Sequence, residues 1–217
     1  GTIKLFENDN TSNVTIASPA SLGADRTITL PDADVTLVSG TMLAGTVAIA
    51  NGGTGATTLA AAGLSNTPAW SAKATSDQTG LASGGWTKIQ FDTAIFDTDS
   101  AYDTTNDKFV VPTGKGGKYF VTASAKINSA TSGGTNTLVG SGLRFTVDGA
   151  NVATNLQFYS TAMFSADGES FTALLSLSAA EYVEVYVYYQ DNGGGTGDLT
   201  GDSGLDTLFS GFKLIGA

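Results

Sequence analysis

The sequence predicts an all-β protein, with a sandwich or jelly-roll head over residues 65–217 and an extended β stem over residues 1–64. Three observations lead there. Apolar residues recur at period two in short segments, with no sustained helical period. Glycine fills 28 of 217 positions, nearly twice the usual ~7%, so turns divide the chain often. Charged residues are 14% against a usual ~25%, yet 41% are hydrophobic and mean hydropathy is +0.07, enough for a core and too much for global disorder.

In the stem, Ile3 with Leu5, Val14 with Ile16, Ile28 with Leu30 and Val35 with Leu37 alternate with polar residues and are separated by turn-forming stretches. The phrases VTIASPA and TITLPDA form a weak repeat. Two or three isolated hairpins do not bury a face. Either the stem packs on the rest of the chain, or its apolar stripe is buried by copies of itself. Residues 49–58 read IANGGTGATT and are followed by LAAAGL. The glycines permit positive φ, and Thr57 or Thr58 is placed to cap one short helical turn ending near Gly63. This segment reads as a joint.

From Pro68 the candidate strands are Gly85–Phe91, Lys108–Val111, Lys118–Ile127, Leu138–Val147, Ala150–Tyr159, Ser170–Leu177, Tyr182–Gln190 and Thr207–Ile215. Alternation in Tyr182–Gln190 puts Val183, Val185, Val187 and Tyr189 on one face, and Tyr182, Glu184, Tyr186 and Tyr188 on the other. A sandwich strand needs one buried face. Tyr182, Tyr186 and Tyr188 are therefore candidates for an interface between subunits, the alternative being a covering loop.

Residues 27–64 carry TITLPDADVTLV and then NGGTGATT before an Ala-rich turn, and resemble the shafts of tail-fibre proteins of tailed bacterial viruses. In the head, Phe91, Asp97, Tyr102, Phe109, Gly117 and Tyr119 stand at separations that resemble the signature of the C1q/tumour-necrosis-factor jelly roll. FSGF at 209–212 is similar to the closing strand of C1q heads. The likeness spans about residues 68–217 and has three departures: the gap from Phe109 to Gly117 is longer by two residues, and Val121 and Ala123 stand where aromatics are expected. The resemblance implies a homotrimeric C1q/TNF-like jelly roll at the tip of a stalk, located in the virion as part of a tail fibre. Other tail proteins would then join through the N-terminal side.

Composition excludes much chemistry. With no histidine and no cysteine, the chain holds no Ser-His-Asp or Cys-His nucleophile and no His- or Cys-ligated metal, and it forms no disulfide. A net charge of −10 without a basic cluster disfavours nucleic acid and anionic lipid as partners. The apolar stretches around Met42–Ala50 and Leu59–Leu64 are shorter than the ~20 residues of a membrane span, which predicts a soluble chain without membrane insertion or signal peptide. Its start at Gly1 predicts a piece of something longer.

Two acidic stretches stand out, Asp92 to Asp107 and the glycine-rich Asp191–Asp206. Neither fits a calcium-loop pattern, so solvated loop acids are expected and no cofactor; if calcium binds weakly, Asp198 and Asp202 are the candidates. An enzyme would need paired carboxylates, and no pair is nominated; the expectation is a non-enzyme.

Loop lengths carry the functional reading. Connections alternate between short ones and the long Asn128–Thr137, Ser160–Glu169 and Asp191–Asp206, so antiparallel strands put the three long loops at one end. Loops on a rigid scaffold are the usual place for binding. Asn128, Asn136, Asp191 and Asn192 would hydrogen-bond sugar hydroxyls, and Tyr159, Met163 and Phe164 would supply apolar or stacking surface, on a bacterial surface glycan or protein receptor. The readings are a receptor-binding tail-fibre head, a purely structural trimerisation cap, or a non-viral adhesin of the same architecture.

Overall fold

The computed structural model describes residues 2–6, 13–17, 56, 58, 61–62, 65–129, 137–160, 166–201 and 206–215. The chain divides into two units, Gly1–Thr46 and Val47–Ala217. In the first, β1 (Thr2–Phe6) and β2 (Asn13–Ala17) form an antiparallel hairpin in which Ile3 faces Ile16 and Leu5 faces Val14. These are the first two alternating bursts of the sequence. The Ile28–Leu30 and Val35–Leu37 bursts lie outside the described residues, as does most of NGGTGATT. At the Ala-rich turn, Thr58 caps as expected: its Oγ1 accepts the Ala61 N–H at 3.1 Å and its carbonyl the Ala62 N–H at 3.0 Å.

The second unit holds β3 (Ala69–Lys73), β4 (Gln78–Leu81), β5 (Gly85–Lys88), β6 (Thr93–Asp97), β7 (Tyr102–Asp103), β8 (Lys108–Val110), β9 (Gly117–Ser129), β10 (Leu138–Val147), β11 (Ala150–Phe158), β12 (Ala166–Leu177), β13 (Tyr182–Asp191), β14 (Gly197–Leu199) and β15 (Leu208–Lys213). They form two antiparallel sheets. The first runs β11-β10-β13-β8-β7, with β5 also on β13; the second runs β4-β14-β9-β15-β3-β6, with β12 on the other edge of β9. The chain passes from β9 in the second sheet to β10 and β11 in the first, back to β12, across to β13 and back to β15. That alternation makes the head an all-β jelly-roll sandwich.

Period-two alternation sorts the side chains. Val183, Val185, Val187 and Tyr189 of β13 point inward and are essentially sealed from solvent, as do Tyr119, Val121, Ala123, Ala125 and Ile127 of β9. At the centre the Trp70 indole lies flat on Phe109, centroids 3.6 Å apart and planes within 5°, and meets the edge of Phe209 at 5.5 Å. Gly211 makes this possible, since a Cβ there would come within 2.4 Å of the indole. Val121 and Ala123 leave the core well filled because neighbours supply the aromatic volume. Ala123 sits between Phe209 on β15 and Phe171 on β12, and Phe171 stacks on Phe145 at 5.3 Å.

Several boundaries differ from the sequence reading. β3, β4, β6, β7 and β14 are additional strands, and β12 begins at Ala166 rather than Ser170. The Asp191–Asp206 connection is no free loop: β14 pairs with both β9 and β4 in its middle. These strands are short or rich in Ala, Ser, Thr and Gly, so their pairing to a neighbour, not their own apolar pattern, makes them strands.

The register fixes the two ends of the sandwich. Leu138 faces Asp191, Gly140 faces Phe158 and Asn128 faces Ala166, so the three long connections leave from one end. At the other, Lys213 N–H bonds to the Pro68 carbonyl at 3.0 Å and Leu214 N–H to that of Lys118 at 2.9 Å. The last described strand therefore finishes beside the point where β3 begins.

Gly211→Ala tests the core directly. The added methyl meets the indole and the Phe120 carbonyl, so urea unfolding is expected to show a loss of about 2 kcal/mol. Unchanged stability would mean that the indole does not pack over this strand.

Candidate functional site

At the loop end, buried polar groups tie the sheets together. Asp191 Oδ1 accepts the N–H groups of Gly193 (2.6 Å) and Gly195 (3.0 Å), while Oδ2 accepts the hydroxyls of Tyr189 (3.1 Å) and Ser129 (3.4 Å). Burial raises its pKa, but hydrogen bonds from Thr137, Gly195, Gly193 and Tyr189 outweigh that and hold it at about 2. Expected to bond outward, Asp191 spends its lone pairs shaping its own loop. Asn128 behaves likewise, its amide donating to Thr200 Oγ1 at 2.5 Å. Asn192 is exposed and anchored by its own N–H on the Thr137 carbonyl at 2.8 Å. Asn136, Met163 and Phe164 lie outside the described residues.

Of the metal candidates, Asp198 accepts the Gly80 N–H at 3.1 Å, and Asp202 lies outside the described residues. Among the described residues no three acidic side chains gather around a common point. In the Asp92–Asp107 stretch the acids shape turns: Asp97 accepts the Tyr102 N–H at 2.8 Å, and Asp103 accepts those of Thr105 and Asn106 at 3.0 Å.

A second polar cluster was not foreseen. Ser141 of β10 places its buried Oγ 2.6 Å from Glu169 Oε1 and 2.9 Å from Asp167 Oδ2, both on β12 in the opposite sheet. Tyr159 donates its hydroxyl to the same Asp167 oxygen at 2.7 Å. Asp167 and Glu169 also line an open hollow of about 480 Å³ with Ser124, Lys126 and Asp206. Ser141 owns one proton and faces two carboxylates. Burial raises the pKa of Glu169, its bond to Ser141 opposes this, and the Asp167 charge adds to the rise. The arrangement closes if Glu169 carries a proton to Ser141 and Ser141 donates to Asp167. The only sequence signal was the unusual inward phase of two acids on an otherwise alternating strand.

The outward faces of the two sheets differ. On the second, registers align Leu174, Phe120, Phe212 and Ala69 in one cross-strand row, and Thr172, Thr122, Ser210, Ser71 and Phe96 in the next. Phe120 stacks on Phe212 at 5.3 Å; Leu174 is 69% exposed and Phe96 50%. Thr122 bonds Thr172 at 3.0 Å and Ser71 bonds Ser210 at 2.8 Å, so the hydroxyl row satisfies itself. An apolar hollow of about 130 Å³ opens between Trp70, Phe96, Phe120 and Phe212.

On the first sheet the outward tyrosines are half-buried by their own neighbours. Lys108 Nζ lies 4.4 Å above the Tyr182 ring, the Arg144 guanidinium 4.7 Å from that of Tyr186, and Trp86 5.2 Å from that of Tyr188. Tyr186 also donates to Glu184 Oε2 at 3.2 Å, and Glu184 pairs with Lys88 at 2.6 Å.

No protein-family model and no curated protein matches the sequence. Among solved structures the chain is similar to the globular domain of zebrafish complement 1qA protein, at 14% identity and a TM-score of 0.44, over 69% of this chain and 98% of that one. It is also similar to murine APRIL at pH 5.0, at 9% identity and a TM-score of 0.47, over 68% of this chain and 98% of that one.

The Ser141 cluster carries a pH signature. Because the folded state raises the pKa of Glu169 above its ordinary 4.5, the native protein binds the extra proton, and stability falls as pH rises from there through the raised value. Glu169→Gln keeps the hydrogen bond without the titration. The variant is expected to lose this slope in melting temperature against pH; parallel wild-type and variant curves would rule out the shared proton.

Proposed function

We propose that this chain is the distal part of a phage tail fibre, a homotrimeric, non-enzymatic receptor-binding head that attaches the virion to a bacterial surface component, a carbohydrate in first place. The observation that carries the reading is the asymmetry of the head. An uncharged row of exposed Leu174 and half-buried Phe120 and Phe212 lies at the end where β3 begins and β15 finishes, and the long connections leave from the other. A contiguous apolar surface of this kind seeks a partner, and a head-to-tail contact that closes after three copies buries it on every subunit. The outward row of the second sheet thus takes the interface role that Tyr182, Tyr186 and Tyr188 were first expected to fill. The tyrosines already pack against Lys108, Arg144 and Trp86 of their own chain.

The non-enzymatic part rests on the inward carboxylates Asp167 and Glu169. Ser141 Oγ bonds both, at 2.9 and 2.6 Å, so the pair is tied to its own chain rather than set apart as an acid and a base. Three copies of a tip also bring avidity, so that weak contacts to a repeating surface hold a particle.

A second reading is a structural cap that only registers the fibre. The inward bonding of Asp191 and Asn128 favours it, since both leave fewer groups free at the tip.

Light scattering during size exclusion is expected to give the mass of three 22.0 kDa chains, and Leu174→Asp to reduce it to one; a monomeric wild type contradicts the assembly. With the trimer intact, Gly/Ser replacement of 130–136 and 161–165 together with Asn192→Ala is expected to abolish competition against phage adsorption. Undiminished competition would leave the cap.

A further inference from the structure

The outward face of the first sheet carries a continuous file of rings ending on a cation. Phe158 meets Tyr188 edge-on at 5.8 Å, Tyr188 meets Trp86 at 5.2 Å, and the Arg144 guanidinium lies 4.7 Å from Trp86 and 4.7 Å from Tyr186. The file is built by the sequence of β10. Gly140 and Gly142 take the outward positions next to Arg144: a Cβ on Gly142 would lie 2.3 Å from the Asn155 carbonyl, and one on Gly140 2.9 Å from the Phe158 ring, which would have to move. Phe158 and Leu156 therefore lie down over β10, leaving Phe158 61% and Leu156 38% exposed.

Arg144 is the one arginine in residues 65–217 of a chain with net charge −10. Among the described residues it has neither a carboxylate partner nor any hydrogen-bond acceptor, and its Nε is buried without one. The neighbouring acid is already taken, Glu184 being held by Lys88 at 2.6 Å and by the Tyr186 hydroxyl at 3.2 Å. The guanidinium is thus held against two rings and, among the described residues, has no acceptor. A guanidinium in that state pairs best with a planar carboxylate through two parallel bonds. Ring faces beside it carry negative quadrupole density and suit the weakly positive C–H face of a pyranose.

We propose that the Phe158–Tyr188–Trp86–Arg144 file is a binding site for an acidic saccharide, in which a uronic-acid carboxylate is held by Arg144 and the sugar rings stack along Trp86, Tyr188 and Phe158. The site lies on the outward face of the first sheet, with its Phe158 end two residues before the Ser160–Glu169 connection, and does not depend on the attachment role proposed above.

The test is a titration of the intact protein with tetragalacturonic acid, followed by tryptophan emission. Of the two tryptophans Trp70 is sealed in the core, so Trp86 reports the ligand. A saturable change is expected, weakened at least tenfold by Arg144→Met and at least tenfold when the fully methyl-esterified tetrasaccharide replaces the acid. The ester arm uses the wild type and stands even if the variant misfolds. Equal binding of acid and ester, unchanged binding by a folded Arg144→Met, or no saturable signal from the acid overturns the proposal.

Discussion

The head depends on one contact, the Trp70 indole lying flat on Phe109 and reaching Phe209 across the missing side chain of Gly211. Trp70 and Phe209 belong to the second sheet, Phe109 to the first, so this contact sets the spacing between the layers. It also docks β3 against β15 in a defined register, and β15 in turn lies beside β9. Once those three strands are aligned, the outward row of Phe120, Phe212 and Ala69 follows because side chains alternate, and the pairing of β12 on β9 adds Leu174 to it.

The same alternation made much of the fold legible in the sequence. Val183, Val185, Val187 and Tyr189 were assigned inward by period two and are the core; the bounds of Leu138–Val147 match β10. β3 was missed although Trp70, Ala72 and Ala74 alternate with Ser71 and Lys73, since alanines give little contrast against serine. β6 was hidden in what looked like an acidic loop, and β14 is three residues held by strands distant in sequence. The polar site residues were least legible. Whether a carboxylate faces solvent or its own loop depends on donors such as Ser129, Thr137 and Tyr189, which no local pattern links to Asp191. Ser141 and Glu169 stand 28 residues apart and meet because β10 and β12 lie in opposite sheets.

The two outward faces have different chemistry, and that difference organises the functional account. One offers Leu174, Phe120, Phe212 and Phe96 with self-paired hydroxyls and suits contact with identical copies. The other offers rings around a guanidinium that is unpaired among the described residues, and suits a polar, anionic ligand.

Hydroxyl-radical footprinting of the protein at micromolar concentration tests this division most directly. In a single chain Leu174, Phe96 and Phe158 are 69%, 50% and 61% exposed, so a monomer would label all three readily. The account predicts strong protection of Leu174, Phe96 and Phe212 with Phe158 fully labelled. Labelling of Leu174 and Phe96 to the same extent as Phe158, or protection of Phe158 in their place, would contradict it.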